Sequence, residues 1–222
     1  MKRKVILASA SPRRLEIMNK HGLEPVVMPT DADETITGDP TMTEVVEDLS
    51  HRKALACYEK VKDDNRYTGH IIVAADTIVY KDGIMGKPED AEDARRMLRS
   101  YRGTFHYVVT GITLIDVDSG NEEVLSDITK VWCKDYTDED IEDYISMAEP
   151  YDKAGAYAIQ GYFGRYIDRI EGDYENVVGL PYYRIEKYSK TVDITMCGAY
   201  NNRGQSRSYP LLALQTSVGR AT

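Results

Sequence analysis

The stretch KVILASASPRR, residues 4–14, sets the architecture of the chain. Its first half is apolar and β-compatible, which predicts a short buried strand over residues 4–9. Ser11 stands where the N-cap of a helix is expected, and Pro12 suits the first helical position because its missing N–H would be unpaired there. The helix is predicted to end near Gly22. The stretch therefore predicts a strand that turns directly into a helix.

The turn between this strand and this helix is a candidate anion-binding site. Backbone N–H groups and the helix dipole both favour negative charge at a helix N-terminus, and Ser9 and Arg13 lie next to it. An ordinary capped helix with two solvated arginines, Arg13 and Arg14, explains the same residues. This stretch alone leaves both interpretations open.

Helix and strand signals alternate along the rest of the chain. The strongest strand, HIIVAADTIVY at residues 70–80, is apolar on both sides of a central Asp-Thr pair, and DSGN at residues 118–121 predicts a hairpin between two long strands. Strand–helix units mixed with antiparallel hairpins predict an α/β fold with a mixed sheet. Further strands are predicted over residues 24–29, 106–117, 122–136 and 165–172, a Gly-rich loop over 151–164, and further helices from Thr41, Asp90, Thr137 and near residue 180.

The composition is that of a soluble globular protein. The chain has 222 residues, of which 42% are hydrophobic and 29% charged, enough for one sizeable domain or two small ones. Its net charge of −9 argues against general nucleic-acid binding, which needs a basic face. No apolar run reaches the length of a membrane span or of a secretory signal. The cysteines Cys57, Cys133 and Cys197 are far apart and are expected to stay reduced, so a cytoplasmic location is expected.

The end of the chain differs from the rest. Residues 196–222 hold three arginines and no acidic residue, and they show no helical or alternating pattern beyond LLAL at residues 211–214. We therefore expect one domain over residues 1–195, followed by a disordered C-terminal tail over residues 196–222. A small docking element is the alternative for this segment.

Several polar residues interrupt apolar patterns. Asp76 lies in the middle of an apolar strand, where a charge is costly unless it is paired or catalytic, although alone it would be explained as a turn-capping aspartate. Lys87 follows a short turn that returns it beside that strand, and Lys53 lies in a basic cluster of an otherwise acidic helix. Cations and carboxylates without a nucleophile–histidine pair suit a metal-assisted phosphate reaction. The other candidates are Glu34 after the second strand, Lys153 and Gln160 in the Gly-rich loop, and Asp173 and Asn176 before the final helix.

Seven motifs together resemble one family. SASPRR, DADE, RKA, AADT, GKP, KAGAYAIQG and GDYENVVGLP occur in the order and spacing of the Maf family of nucleoside triphosphate pyrophosphatases, from about residue 4 to residue 190. The resemblance implies an elongated α/β fold with a mixed sheet, flanking helices and a central cleft between two lobes, similar to inosine triphosphate pyrophosphatases. It also implies hydrolysis of a nucleoside triphosphate to the monophosphate and pyrophosphate with a divalent cation, Mg²⁺ or Mn²⁺.

The same resemblance implies roles for single residues. Asp76 would accept the proton of the attacking water or orient that water as a metal ligand, and Glu34 would share the metal. Lys53 and Lys87 would favour the ionised form of Asp76 because opposite charges attract. Arg14 fits the motif with a structural role, pairing with an acidic neighbour. The residues expected to hold the triphosphate are Ser9, Arg13, Lys53 and Lys87.

Arg13, Thr77 and Gln160 stand at the positions that distinguish the branch of the family acting on dTTP and UTP. An amide can satisfy both a donor and an acceptor on a pyrimidine edge, which suits Gln160. The expected partner is a small-molecule nucleotide of the cellular pool, with no nucleic acid and no membrane, and a homodimer is compatible with the family. The alternatives are a pyrophosphatase that prefers ITP or 7-methyl-GTP, and a nucleotide-binding regulator of septum formation.

Overall fold

A mixed β-sheet with helices on both faces organises the molecule. The structure, a computed structural model, describes residues 2–191 and 195–196. Within these residues the sheet has the strand order β2-β1-β3-β5-β6-β7, with β4 paired to β3 and β8 paired to β1. The strands are β1 Lys2–Leu7, β2 Val26–Val27, β3 His70–Tyr80, β4 Ile84–Met85, β5 Phe105–Asp116, β6 Glu122–Cys133, β7 Ile167–Glu171 and β8 Thr195–Met196. Strand β1 is parallel to its neighbours, whereas β3, β5, β6 and β7 pair antiparallel, which confirms the predicted mixed sheet.

The helices begin where capping residues predict. Thr41 and Glu44 form a complete capping box at the start of α2, and Thr137 and Asp140 form another at the start of α4. Ser11 occupies the N-cap position of α1 with Pro12 next, but its side chain makes no capping hydrogen bond. The helices are α1 Pro12–Lys20, α2 Met42–Val61, α3 Ala91–Tyr101, α4 Asp138–Ile145, α5 Tyr174–Val178 and α6 Tyr182–Thr191.

Strand β1 is buried on both faces, as its continuous apolar run predicts. Val5 and Leu7 pack with Met18 of α1 on one face, whereas Ile6 packs with Ala54 of α2 on the other. A further buried cluster lies between the ends of β3, β5 and β6 and the helices α3 and α4; it includes Val79, Leu98, Tyr101, Tyr144, Tyr157 and Phe163. The α1 cluster and this one border a single cavity, which is the candidate functional site.

Two predicted segments differ in detail. The strand expected over residues 24–29 is reduced to Val26–Val27, which lies at the edge of the sheet and, within the described part of the chain, pairs with β1 alone. The Gly-rich segment 151–164 is a series of short 3₁₀ turns rather than a plain loop; the 3₁₀ turns of this region are Glu149–Asp152, Ala154–Ala156 and Tyr162–Tyr166. Apart from its first residue, the predicted tail lies outside the described residues.

The described part of the chain also bears on two expectations from composition. None of its helices combines the length and the apolar character needed to cross a membrane. Cys57 and Cys133 are buried and free, and burial raises the pKa of these thiols to about 11 and about 12. Both thiols are therefore held in their unreactive protonated form. Cys197 lies outside the described residues.

Candidate active site

One cavity of about 710 Å³ brings together residues that are far apart in the chain, from Ala10 to Gly179. The N-terminal turn of α1, the middle of β3, the turn after β4 and the 3₁₀ segments after α4 form its walls. The predicted site residues that line it are Arg13, Glu34, Lys53, Asp76, Thr77, Lys87 and Gln160. Lys153 of the Gly-rich segment also lines it, whereas Ser9, Asp173 and Asn176 do not.

Two carboxylates meet at one ammonium group in this cavity. The Nζ of Lys53 lies 2.5 Å from Oδ1 of Asp76 and 2.7 Å from Oε1 of Glu34. The side chains of Lys53 and Asp76 are each only 14% exposed, whereas Glu34 is 64% exposed. The hydrogen bond from Lys53 lowers the pKa of Glu34 below its usual value. The charge of Asp76 inside an apolar strand is therefore compensated by a partner from α2.

The positions of these groups follow from the sheet and from α2. Asp76 stands in the middle of β3, opposite Gly111 of β5. The antiparallel pairing of Val79 with Met85 returns the chain after β3 and places Lys87 in the same cavity, as predicted. Among the described residues, Lys87 and Arg13 take part in no ion pair within 4 Å, so both cations are available to an anion in the cavity.

Arg14 corrects one sequence-based expectation. It was expected to pair with an acidic neighbour, but its guanidinium donates only to neutral oxygens of the described residues. Nε donates to the carbonyl oxygen of Gly179 at 2.8 Å, Nη1 to Oγ of Ser9 at 3.1 Å and Nη2 to Oγ1 of Thr77 at 3.1 Å. Desolvation lowers the pKa of Arg14. A positive charge therefore lies in the cavity wall without a carboxylate in contact with it.

Ser9 corrects another expectation. It was expected to hold the triphosphate, but it is buried and is not among the residues that line the cavity. Its Oγ accepts hydrogen bonds from the backbone N–H of Ser11 at 3.2 Å and from Arg14. Ser9 thus orients Arg14 and the start of α1 through these two hydrogen bonds.

The hydroxyl of Thr77 is part of a buried hydrogen-bond network. Its Oγ1 lies 2.9 Å from Oγ1 of Thr110, which donates to the carbonyl oxygen of Asn176 at 3.1 Å. The Asn176 amide donates in turn to the carbonyl oxygen of Val108 and to Oγ1 of Thr129. Asn176 and Asp173, the N-cap of α5, therefore secure α5 and do not line the cavity. The residues after them, 177–179, do line it.

The segment 152–161 forms the opposite wall. Lys153 and Asp152 form an ion pair there, and both line the cavity; Asp152 was not singled out from sequence. Gln160 is exposed and makes no hydrogen bond to the described residues. The carboxylate of Glu149 lies against the next residue, Gly161, whose added Cβ would come within 2.1 Å of Oε1. Oε2 of the same carboxylate accepts a hydrogen bond from the backbone N–H of Tyr162 at 3.2 Å, which restrains the backbone beside Gln160.

The carboxylates of this site suit a hard divalent cation only in combination with other ligands. Within residues 2–191 and 195–196, no group of three or more His, Cys, Asp or Glu side chains is arranged to hold a metal. Mg²⁺, however, is commonly bound through one or two carboxylates together with substrate phosphates and water. Glu34 and Asp76 converge on one cationic group, Lys53 Nζ. This pair therefore fits a cation that is bound together with a phosphate substrate.

The fold and the site define a mixed α/β protein with an anion-accepting cavity built around a carboxylate pair. The chain belongs to the Maf family: the family described as Maf-like protein matches residues 4–192. A dTTP/UTP pyrophosphatase of Acetivibrio thermocellus is 42% identical over 194 residues, covering 87% of this chain and 97% of the relative. A dTTP/UTP pyrophosphatase of Caldicellulosiruptor bescii is 41% identical over 186 residues, covering 82% and 92%. One from Alkaliphilus metalliredigens is 43% identical over 178 residues, covering 80% and 90%.

Among solved structures, the Staphylococcus aureus Ham1 protein is similar at a lower level. It is 13% identical, with a TM-score of 0.41, and the match covers 59% of this chain and 72% of that one. The family assignment depends on the family match and on the relatives.

Proposed function

We propose that this chain hydrolyses dTTP and UTP to the nucleoside monophosphate and pyrophosphate in the cytoplasmic nucleotide pool. The observation that carries the proposal is the contact of Asp76 and Glu34 with Lys53, in a cavity that also presents Arg13 and Lys87. Relatives that cover most of the chain are named for this activity. The homodimer named above stays a prediction.

The cations of the cavity bind the triphosphate in this proposal. Arg13 and Lys87 have no ion-pair partner among the described residues, and the Arg14 guanidinium has only neutral acceptors. Negative charge on the non-bridging oxygens grows as water attacks, so preorganised cations stabilise the transition state more than the ground state. Ser9 contributes indirectly, because it holds Arg14.

Asp76 acts as the proton acceptor. The oxygen of water forms a bond to the α-phosphorus, the bond from that phosphorus to the α–β bridging oxygen breaks, and pyrophosphate leaves with the bond electrons. The proton of the water passes to the Asp76 carboxylate, which Lys53 holds in place at 2.5 Å. Mg²⁺ or Mn²⁺ would be held by Glu34 and Asp76, and when bound it supplies charge stabilisation at the phosphate oxygens.

Base selection is assigned to the far end of the cavity. Gln160 presents there a side-chain amide that makes no hydrogen bond to the described residues, next to a backbone that Glu149 restrains through the N–H of Tyr162. Thr77 contributes through its hydrogen bond to Arg14 rather than by contact with the base, since its hydroxyl is already occupied by Arg14 and Thr110.

The test is pyrophosphate release from dTTP, UTP, ITP and 7-methyl-GTP, with and without Mg²⁺ or Mn²⁺. The wild type is expected to prefer dTTP and UTP. Asp76→Asn keeps the shape and removes the proton acceptor, so turnover is expected to fall about a hundredfold or more. Asp63→Asn, an exposed position just beyond α2, is the matched control and keeps full turnover. A folded Asp76→Asn protein with normal turnover contradicts the role of Asp76, and a preference for 7-methyl-GTP or ITP contradicts the substrate.

A further inference from the structure

The loop that carries Glu34 has little to hold it in place by itself. Residues 28–41, between β2 and α2, contain no helix or strand. Glu34 is 64% exposed, and its described ion-pair partner is Lys53. Each unrestrained residue of such a loop retains about 1–2 kcal/mol of backbone conformational freedom at 25 °C. A carboxylate on this loop needs a backbone restraint to keep one position.

Arg52 supplies this restraint from α2. Its Nη1 donates to the carbonyl oxygen of Asp33 at 3.1 Å and to the carbonyl oxygen of Thr35 at 2.9 Å. These are the two residues that flank Glu34. One guanidinium nitrogen therefore holds the backbone on both sides of the cavity-lining carboxylate.

The guanidinium of Arg52 is itself oriented in advance. Asp48, one turn earlier on the same helix, accepts from Nε at 3.1 Å and also from Nη2. This two-point contact uses the other edge of the planar guanidinium and leaves Nη1 directed at the loop. Arg52 therefore loses little further side-chain freedom when it binds the loop.

Neighbouring contacts complete the attachment. Oδ1 of Asp33 accepts from the N–H of Thr35 at 2.9 Å and from its hydroxyl at 2.7 Å, which shapes the turn at Glu34. Lys53, next to Arg52, holds the Glu34 side chain at 2.7 Å. Consecutive residues of α2 thus hold the backbone and the side chain of the same loop residue.

We infer that Arg52 is a positioning residue, which holds Glu34 where it and Asp76 receive the divalent cation. The inference rests on the proposed function for its catalytic consequence. This positioning role requires the N–H donors of the Arg52 guanidinium, because a side chain without donors cannot hold the carbonyl oxygens of Asp33 and Thr35. Arg52 affects the affinity for the cation and not the proton acceptor. Loss of Arg52 therefore raises the metal concentration that hydrolysis requires, whereas the rate at saturating metal changes little.

The test compares Arg52→Met, which keeps the length of the side chain and removes its donors, with Arg52→Lys, which restores donors at one nitrogen. Amide hydrogen exchange over residues 29–40, measured without nucleotide, is expected to be faster in Arg52→Met. The Mn²⁺ concentration for half-maximal dTTP hydrolysis is expected to rise about 10- to 100-fold, as for other partners that orient metal ligands. Turnover at saturating Mn²⁺ is expected to be retained, and Arg52→Lys is expected to restore part of both effects.

Arg66→Met is the matched control, because Arg66 also pairs with a nearby aspartate, Asp64, but its side chain is 81% exposed and does not line the cavity. It is expected to change neither measurement. In a Glu34→Gln background, Arg52→Met should raise the Mn²⁺ requirement no further, since residues that act through one another are not additive.

The inference is overturned if amide exchange over residues 29–40 is unchanged in Arg52→Met. It is also overturned if Arg52→Met raises the Mn²⁺ requirement in the Glu34→Gln background by the same factor as in the wild type. Mn²⁺ binding, followed by electron paramagnetic resonance on the protein, gives a readout that does not depend on turnover. A wild type that releases no pyrophosphate would refute the proposed function, while the exchange and Mn²⁺-binding comparisons would still decide the role of Arg52.

Discussion

Arg13 and Arg14 are adjacent in the chain, yet they have different environments. Arg14 donates to Ser9, Thr77 and Gly179, and desolvation lowers its pKa. Arg13 lines the cavity and takes part in no ion pair among the described residues. Successive residues of a helix point about 100° apart, so the two guanidinium groups have different neighbours although both line the cavity. The same side-chain type is thus fixed by neutral partners in one case and has no ion-pair partner among the described residues in the other.

Gln160 gives the prediction at this scale. In Gln160→Ala, kcat/KM for dTTP and UTP is expected to fall about tenfold relative to ITP and 7-methyl-GTP, the loss of about one net hydrogen bond. The reason is that a site built to hydrogen-bond a base loses discrimination when the amide is removed, while the cations proposed to bind the triphosphate are unchanged. Kinetics on the four nucleotides side by side measure the ratio. An equal loss for all four would mean that Gln160 only supports the 158–164 backbone.

Helix α2 matters as an element because it carries Arg52 and Lys53 against the sheet. Its backbone lies so close to β5 that a Cβ at Gly111 would come within 2.1 Å of the carbonyl oxygen of Val46. Gly111 also pairs with Asp76 across β3 and β5. Glycine inside a strand is unfavourable by itself, and here it permits the close approach of another backbone. The distance between helix and sheet, and with it the reach of Lys53 to Asp76, depends on this glycine.

Gly111→Ala is therefore expected to displace α2. We expect the free energy of unfolding to fall by about 1–3 kcal/mol or more, as for other overpacked contacts, and turnover to fall because Lys53 moves relative to Asp76. Urea unfolding and dTTP hydrolysis measure the two effects. Gly86→Ala is the control for stability, since an added Cβ there meets nothing within 4 Å. Equal stability of the two variants would contradict this account of the packing.

At the scale of the whole molecule, the cavity is supported by a buried polar pair in the core. Nε2 of His106 lies 2.7 Å from the hydroxyl of Tyr157, a residue that lines the cavity. Burial, and secondly the charge of Lys81, lower the pKa of His106 to about 3. Burial also raises the pKa of Tyr157, so its hydroxyl keeps its proton and shares a hydrogen bond with the neutral imidazole. His106 is thus uncharged in the folded protein at neutral and mildly acidic pH.

This burial makes the stability of the molecule depend on pH. The pKa of His106 is about 3 when folded and about 6.5 in an unfolded chain. Between these values the unfolded state binds more protons, so the free energy of unfolding decreases as the pH falls from 6.5 towards 3. His106→Gln removes this contribution. The free energy of unfolding of the variant should therefore change with pH less steeply than that of the wild type, by up to about 1.4 kcal/mol per pH unit between pH 6.5 and 3.

Urea unfolding of wild type and His106→Gln at pH 7, 6, 5 and 4 measures the difference in slope. The comparison at pH 7 is the internal control. At this pH the residue at position 106 is neutral in the folded state of both proteins and largely neutral in their unfolded states. Parallel curves across the whole range would contradict the buried neutral state of His106.

The sequence by itself determined the elements and the family. The apolar run at residues 70–80 predicts β3 residue for residue, the capping residues Thr41 and Thr137 predict the starts of α2 and α4, and DSGN predicts the β5–β6 hairpin. Each of these signals acts over a few neighbouring residues, so it can be read without knowledge of the fold. The ordered motifs, likewise, needed only the linear chain.

The tertiary structure alone decided which polar group serves the cavity and which serves the framework. Arg14 contacts Gly179, 165 residues away in the chain, and Thr110 contacts Asn176, 66 residues away. Ser9 and Asn176 therefore belong to the framework, although the sequence offered both as site candidates. The physical reason is that the cost of burying a polar group depends on the partners that folding brings to it. Those partners come from distant segments, and no local pattern specifies them.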